Sequence, residues 1–123
     1  MRRSTTIALG IAAFLAGAAA QPAFAGYGAL AFDEAAKKFG MSSNEESARK
    51  AEEIAMKICG TDKCKVVFRT VAKECGAIAL GETGNAWGGG KHPDRARAEL
   101  AAMQNCQKHT KGQCKVRSAE CNR

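Results

Sequence analysis

A short apolar phrase occurs twice in the chain, and this duplication constrains the fold more than any other feature. Tyr27-Gly28-Ala29-Leu30-Ala31-Phe32 returns as Cys75-Gly76-Ala77-Ile78-Ala79-Leu80. Each copy leads through a Gly-containing stretch into an alanine-rich helical segment that ends at a cysteine, Cys59 or Cys106. Cys64-Lys65-Val66 is then answered by Cys114-Lys115-Val116, and the copies close at Cys75 and Cys121. One unit of a little under 50 residues therefore occurs twice, at about 27–74 and 75–121.

The period of the apolar residues supplies the elements of each unit. Residues 27–32 and 76–80 are short apolar runs bounded by turn formers and suit buried strands. Asp33 to Lys37 and Gly81 to Asn85 read as hairpin turns, leading to second strands near 38–42 and 86–90. From Glu45 to Cys59, the residues Ala48, Ala51, Ile54, Ala55 and Ile58 recur at steps of three and four, which predicts a helix with one buried stripe. Ser43 with Glu46 forms a capping-box pattern, whereas aligning the copies from their cysteines matches Ser47 to Asp94 as caps. In the second copy Pro93 or Asp94 starts the helix, and Ala98, Leu100, Ala101, Ala102, Met103 and Cys106 supply its inward face. Third strands follow over 65–73 and 115–120. Strict alternation in the first of them puts Val66, Phe68, Thr70 and Ala72 on one face, with Lys65, Val67, Arg69, Val71 and Lys73 on the other. Each unit reads strand, strand, helix, strand. The expected class is α+β, with both units sharing one antiparallel sheet on which both helices pack.

The first 25 residues have a different character. Met1-Arg2-Arg3 is positive, the stretch from Ile7 to Ala20 is apolar, uncharged and too short to span a bilayer comfortably, and Ala23 and Ala25 put small residues where a signal peptidase reads. The expectation is a secretory signal peptide over 1–25, cleaved before Gly26. It leaves 26–123 as a single domain without a transmembrane segment, exported to the periplasm or the medium. Losing Arg2 and Arg3 lowers the formal net charge from +7 to about +5. A domain this short buries little core and calls for staples. All six cysteines (Cys59, Cys64, Cys75, Cys106, Cys114 and Cys121) lie beyond the leader, an even number that implies three disulfides in an oxidising compartment. Spacing alone does not choose among their connectivities.

Tyr-Gly-Ala-Leu-Ala at 27–31, Cys-Gly-Ala-Ile-Ala at 75–79, the Gly-rich region of Trp87, the helices ending at cysteine and the Cys-Lys-Val segments resemble one family. It is the domain of unknown function family 4189, seen in exported bacterial proteins, and the resemblance covers nearly all of the chain after residue 25. It implies a duplicated strand-strand-helix-strand domain and brings no assigned catalytic residues. This chain departs from the family pattern in its first copy, where Phe39-Gly40-Met41 stands in place of a Trp-Gly stretch. Taken with the repeat, the resemblance implies the pairs Cys59–Cys64, Cys106–Cys114 and Cys75–Cys121, the last joining equivalent unit-closing cysteines across the repeat.

Each candidate for chemistry has a plainer explanation beside it. The cysteine spacings match no zinc knuckle, no Cys-x-x-Cys redox couple and no covalent haem motif, so no metal or cofactor is expected and the cysteines read as structural. The stretch Gly84 to His92 invites a phosphate-loop reading but fails it, because Asn85 and His92 stand where a glycine and a Ser or Thr belong. A flexible or bulged strand before a helix is the plain alternative, with Trp87, Lys91 and His92 as an anion- or sugar-binding edge at the helix N-terminus. His92 and His109 flank the second helix and are expected to lie too far apart to act together; either one is the base of any enzyme reading. The remaining feature is charge. Lys65, Arg69 and Lys73, with Lys115 and Arg117 near the C-terminus, form one basic patch if the third strands share a sheet. Such a patch suits an acidic envelope polymer or protein, while nucleic acid fits poorly because no aromatic interleaves with the basic residues. The expected function is a non-enzymatic binding module, with a secreted effector or inhibitor, or a small extracytoplasmic enzyme, as alternatives.

Overall fold

The computed structural model describes residues 26–123, so the expected signal peptide over 1–25 lies outside the described residues. The first unit comprises β1 (Tyr27–Asp33), β2 (Lys38–Glu45), α1 (Ala48–Cys59) and β3 (Lys65–Thr70). The second comprises β4 (Cys75–Gly81), β5 (Trp87–His92), α2 (Arg95–Gln107) and β6 (Cys114–Cys121). Among the described residues no helix is long and apolar enough to cross a membrane.

The class is α+β, as expected, but the single shared sheet is not formed. Instead each unit makes its own three-stranded antiparallel sheet, ordered β2-β1-β3 in the first and β5-β4-β6 in the second. The reason lies in the alternation of the repeated phrase. In β1, Ala29 and Ala31 pack with Ala51, Ala55 and Cys59 of α1, and in β4, Ala77 and Ala79 pack with Ala98, Ala102 and Cys106 of α2. The intervening Leu30, Phe32, Ile78 and Leu80 point the other way, into a cluster shared with Met41 and flanked by Phe39, Phe68 and Trp87. An edge-to-edge sheet would leave that larger face in water. Stacking the sheets buries it, so the layers run helix, sheet, sheet, helix, with β1 against β4, β2 against β6 and β3 against β5.

The helices sit close because the strands beneath them lack side chains at the crossing. A Cβ added to Gly88 of β5 would fall 2.2 Å from the backbone nitrogen of Cys106 and 2.4 Å from the carbonyl oxygen of Ala102. Gly40 of β2 meets α1 in the same way. The buried stripes are consequently narrow, Ala51-Ala55-Cys59 and Ala98-Ala102-Cys106. Ile58 and Leu100, expected inside, are 57% and 56% exposed, since a helix seated this low buries only the residues directly above the sheet. Ser47 and Asp94 are the caps, accepting from the amides of Lys50 and Arg97 at 3.1 Å each.

All three disulfides have the implied pairing. Cys59–Cys64 and Cys106–Cys114 each tie a helix end to the following strand. Cys75–Cys121 ties the start of the second unit to its last strand, as implied, and because it joins directly opposed residues of β4 and β6 it closes that unit rather than linking the two. The corresponding opposed positions of the first unit hold Tyr27 and Val71, flanking the Gly28–Thr70 pair. There the role of a staple falls to the buried Asn122. Its Nδ2 donates to Thr70 Oγ1 (2.8 Å) and the Val71 carbonyl (2.9 Å), and its Oδ1 accepts from the Asn44 amide (2.8 Å). This latch brings the C-terminus beside Gly26, where an added Cβ would lie 2.8 Å from the Arg123 carbonyl oxygen.

Candidate functional site

The stacking that builds the core also divides the basic residues expected to act together. β3 and β6 lie at opposite edges of the two sheets, so Lys65 and Arg69 are separated from Lys115 and Arg117 by the width of the sandwich. Alternation also fails within β3. Leu30 pairs with Phe68 but Ala31 pairs with Val66, which leaves Val67 as an extra residue and puts Lys65 and Arg69 on opposite faces. β6 carries the same irregularity at Arg117. Arg69 is further occupied by a two-pronged bond to Glu52 of α1, with Nε to Oε2 at 2.8 Å and Nη2 to Oε1 at 3.0 Å. That bond raises the arginine's proton affinity and lowers the glutamate's. Lys73 lies beyond the end of β3, in the turn before β4, where its amide donates to the Arg123 carbonyl. One continuous basic face is therefore absent among the described residues.

Trp87, Lys91 and His92 are likewise not gathered at the start of α2. β5 is a regular strand without a bulge, and Trp87 begins it about 13 Å from Lys91 at the usual strand rise. His92 Nδ1 accepts from the Asp94 amide at 2.9 Å and the Asp94 carboxylate accepts from the Arg97 amide. The Asp94 and Arg97 amides thus have partners within the chain. Lys91 turns away from the helix, donating to the Arg69 carbonyl at 3.2 Å with its ammonium 5.9 Å from the centre of the Phe68 ring. His109 lies past the far end of α2, separate from His92 as expected.

Trp87 instead belongs to an open groove of about 1080 Å³ between the β3 and β5 edges and the C-terminal end of α2. Phe68, Val67 and Trp87 give it an apolar lining, Asn85 and Asn105 add carboxamides, and Lys108, His109 and Glu34 line it as well. Both units contribute. The Trp87 indole packs on Phe32 of the first unit with ring centroids 4.7 Å apart, and its Nε1–H donates to Glu34 Oε1 at 2.9 Å. Glu34 is itself fixed by the turn that carries it. Asp33 Oδ1 accepts from the amides of Ala35 (3.0 Å) and Ala36 (3.1 Å), and its Oδ2 accepts from the Thr61 hydroxyl (2.6 Å). The hydroxyl bond and then the Ala36 amide hold the Asp33 carboxyl below its ordinary value.

The Lys108 side of the groove is held from behind. Asn105 Nδ2 donates to the Gly89 carbonyl at 2.6 Å, and its Oδ1 accepts from Lys108 Nζ at 3.3 Å. The Cys106–Cys114 bridge and the bond from the Cys114 amide to Gln107 Oε1 fix the loop after α2. All six cysteines are in bridges, so none is free as a thiol. Of the groove residues, Trp87 and His109 stand out in the sequence, whereas Glu34 and Phe68 of the first unit reach them only through the stacking of the sheets. The visible signal for Phe68 is that it is the one aromatic on a short third strand.

A duplicated strand-strand-helix-strand sandwich, stapled by disulfides and carrying a groove at the junction of its units, is the class that fold and site define. Residues 27–121 match the family described as Domain of unknown function (DUF4189), and the chain belongs to it. Among solved structures, the chain is similar to the NMR structure of Rv1813c from Mycobacterium tuberculosis, at 24% identity and a TM-score of 0.59. That similarity covers 99% of this chain and 96% of the other, and it shows the shared fold. No curated protein matches the chain.

Proposed function

We propose that the protein is an exported, non-enzymatic binding module that holds an acidic partner in the groove between β3 and β5. The observation that carries this reading is the convergence of Trp87, Phe68, Asn105, Lys108 and His109 in one open groove at the junction of the two units. An aromatic lining with amides and cations is the composition of a recognition surface. Export is supported by the leader-like residues 1–25 and by three bridges that close in an oxidising compartment. The positive balance of the remaining chain favours capture of an anion by long-range attraction.

Isothermal titration of polygalacturonate, polyglutamate and polyphosphate tests the reading. At least one is expected to bind, with affinity falling as salt rises, and Lys108→Ala with His109→Ala is expected to weaken it about tenfold or more. Binding that survives both substitutions, or no binding to any of the three, would overturn the groove as the site. His109 in the groove is the foothold of the enzyme alternative. Conversion of a bound polymer to smaller products, abolished by His109→Ala alone, would replace the binding module with that reading.

A further inference from the structure

Resting on the groove as the binding site, we infer that its ligand is a segment of an acidic polysaccharide, a chain of pyranose rings carrying carboxylates, seated on Trp87 with its carboxylates toward Lys108 and His109. Three observations lead to this class. The first is size: about 1080 Å³ in an open groove exceeds the roughly 300–1,000 Å³ of pockets that enclose one small ligand, so several linked rings fit better than a lone anion.

The second is the state of the strand edges. An acidic peptide entering between β3 and β5 would be expected to add as a strand, through main-chain bonds to an edge. Here the Gly89 carbonyl of edge strand β5 is occupied by Asn105 Nδ2, and the Arg69 carbonyl of edge strand β3 is occupied by Lys91 Nζ. One edge carbonyl on each strand is thus already taken by a side chain, which works against strand addition there. Recognition is left to the groove lining.

The third is what that lining contains. The indole is held in place by Phe32 on one side and by its bond to Glu34 on another, so its aromatic surface is presented without ordering on binding. The C–H face of a pyranose is apolar and slightly positive, a match for the negative face of an indole. The Asn85 carboxamide can donate to and accept from ring hydroxyls, and Lys108 with His109 can supply donors for a carboxylate. Glu34, which also lines the groove, is already engaged by the indole N–H. Phosphate polymers would satisfy the cations and leave the aromatic lining unused.

The test is calorimetric titration of the oxidised protein with tetragalacturonate, neutral cellotetraose, tetraglutamate and short-chain polyphosphate. Tetragalacturonate is expected to bind about tenfold or more tightly than each of the others, with about tenfold loss for Lys108→Ala and for Trp87→Leu. Lys65→Ala, which removes the same charge outside the groove, is expected to leave binding unchanged. Thermal melts of each variant establish that it is folded. Equal binding of cellotetraose would remove the acidic requirement, and equal binding of tetraglutamate or polyphosphate would remove the sugar; either result overturns this inference while leaving an acidic-partner groove standing in the latter case. If none of the anions binds, the groove proposal itself fails.

Discussion

Replacing Gly88 by Ala isolates the contact on which helix packing in the second unit depends. The added methyl would sit 2.2 Å from the Cys106 nitrogen, 2.4 Å from the Ala102 oxygen and 2.7 Å from the Asn105 carbonyl carbon. All three are backbone atoms, so no side chain can swing aside. Ordinary contact lies near 3.5–4.0 Å, so α2 must retreat by about 1 Å and thin its contacts over Ala77 and Ala79. Overpacking of this kind costs about 3 kcal/mol at the upper end of its usual range. Removing a glycine from the unfolded chain returns about 0.4–1 kcal/mol. The net expectation is a loss of about 2–3 kcal/mol, or roughly 10–20 °C in Tm for a domain of this size. Thermal and denaturant melts followed by circular dichroism under non-reducing conditions measure it. Gly112→Ala is the control, since its new methyl would meet only Thr110 Oγ1 at 3.4 Å and Thr83 Oγ1 at 3.6 Å, and a change within about 0.5 kcal/mol is expected. A Gly88→Ala protein as stable as that control would refute the account of the helix seat.

The disulfides are expected to rank by the loops they close. Cys75 and Cys121 are 46 residues apart and Cys59 and Cys64 only 5, so removing the first pair by Cys→Ala should cost about 4 kcal/mol and the second about 2 kcal/mol, read from denaturant midpoints. Equal costs would show that chain entropy does not govern their contribution. Asp33 sets a pH dependence. Its folded carboxyl titrates below its ordinary value of 3.8, because Thr61 and the turn amides favour the charged form. The unfolded chain therefore takes up the proton first, and the contribution is complete above the ordinary Asp range and is lost as pH falls through the lowered folded value. Asp33→Asn should flatten this acid limb in a series of melts below about pH 4; an unchanged limb would place the sensitivity elsewhere.

The elements of the fold were legible because each leaves a local mark. The short apolar run Tyr27–Phe32 and the three-four spacing before Cys59 depend on neighbours in the chain, and the structure places a strand and a helix there, while of the alternative helix starts it selects Ser47 and Asp94. The arrangement of the sheets was less accessible. Ala29 and Leu30 look alike as apolar residues, and only their difference in size tells that one meets a helix backbone and the other a second sheet. The bulge at Val67 has no turn residue to announce it, yet it reverses the facing of Lys65 relative to Arg69 and dissolves the expected basic stripe. The groove was hidden for a third reason. Glu34 and Trp87 are 53 positions apart and come from different units, so their bond exists only after the sheets have stacked.

The meeting of Gly26 and Arg123 has a consequence for how the module can be displayed. β1 (Tyr27–Asp33) leads from Gly26 just before it to Glu34 just after it, and Glu34 lines the groove. Gly26 and Arg123 therefore lie together, about 20 Å of strand away from the groove. A tether, fusion partner or solid support joined at either end would hold the domain by its base and leave the groove facing outward, so immobilised and free forms should capture the same ligand.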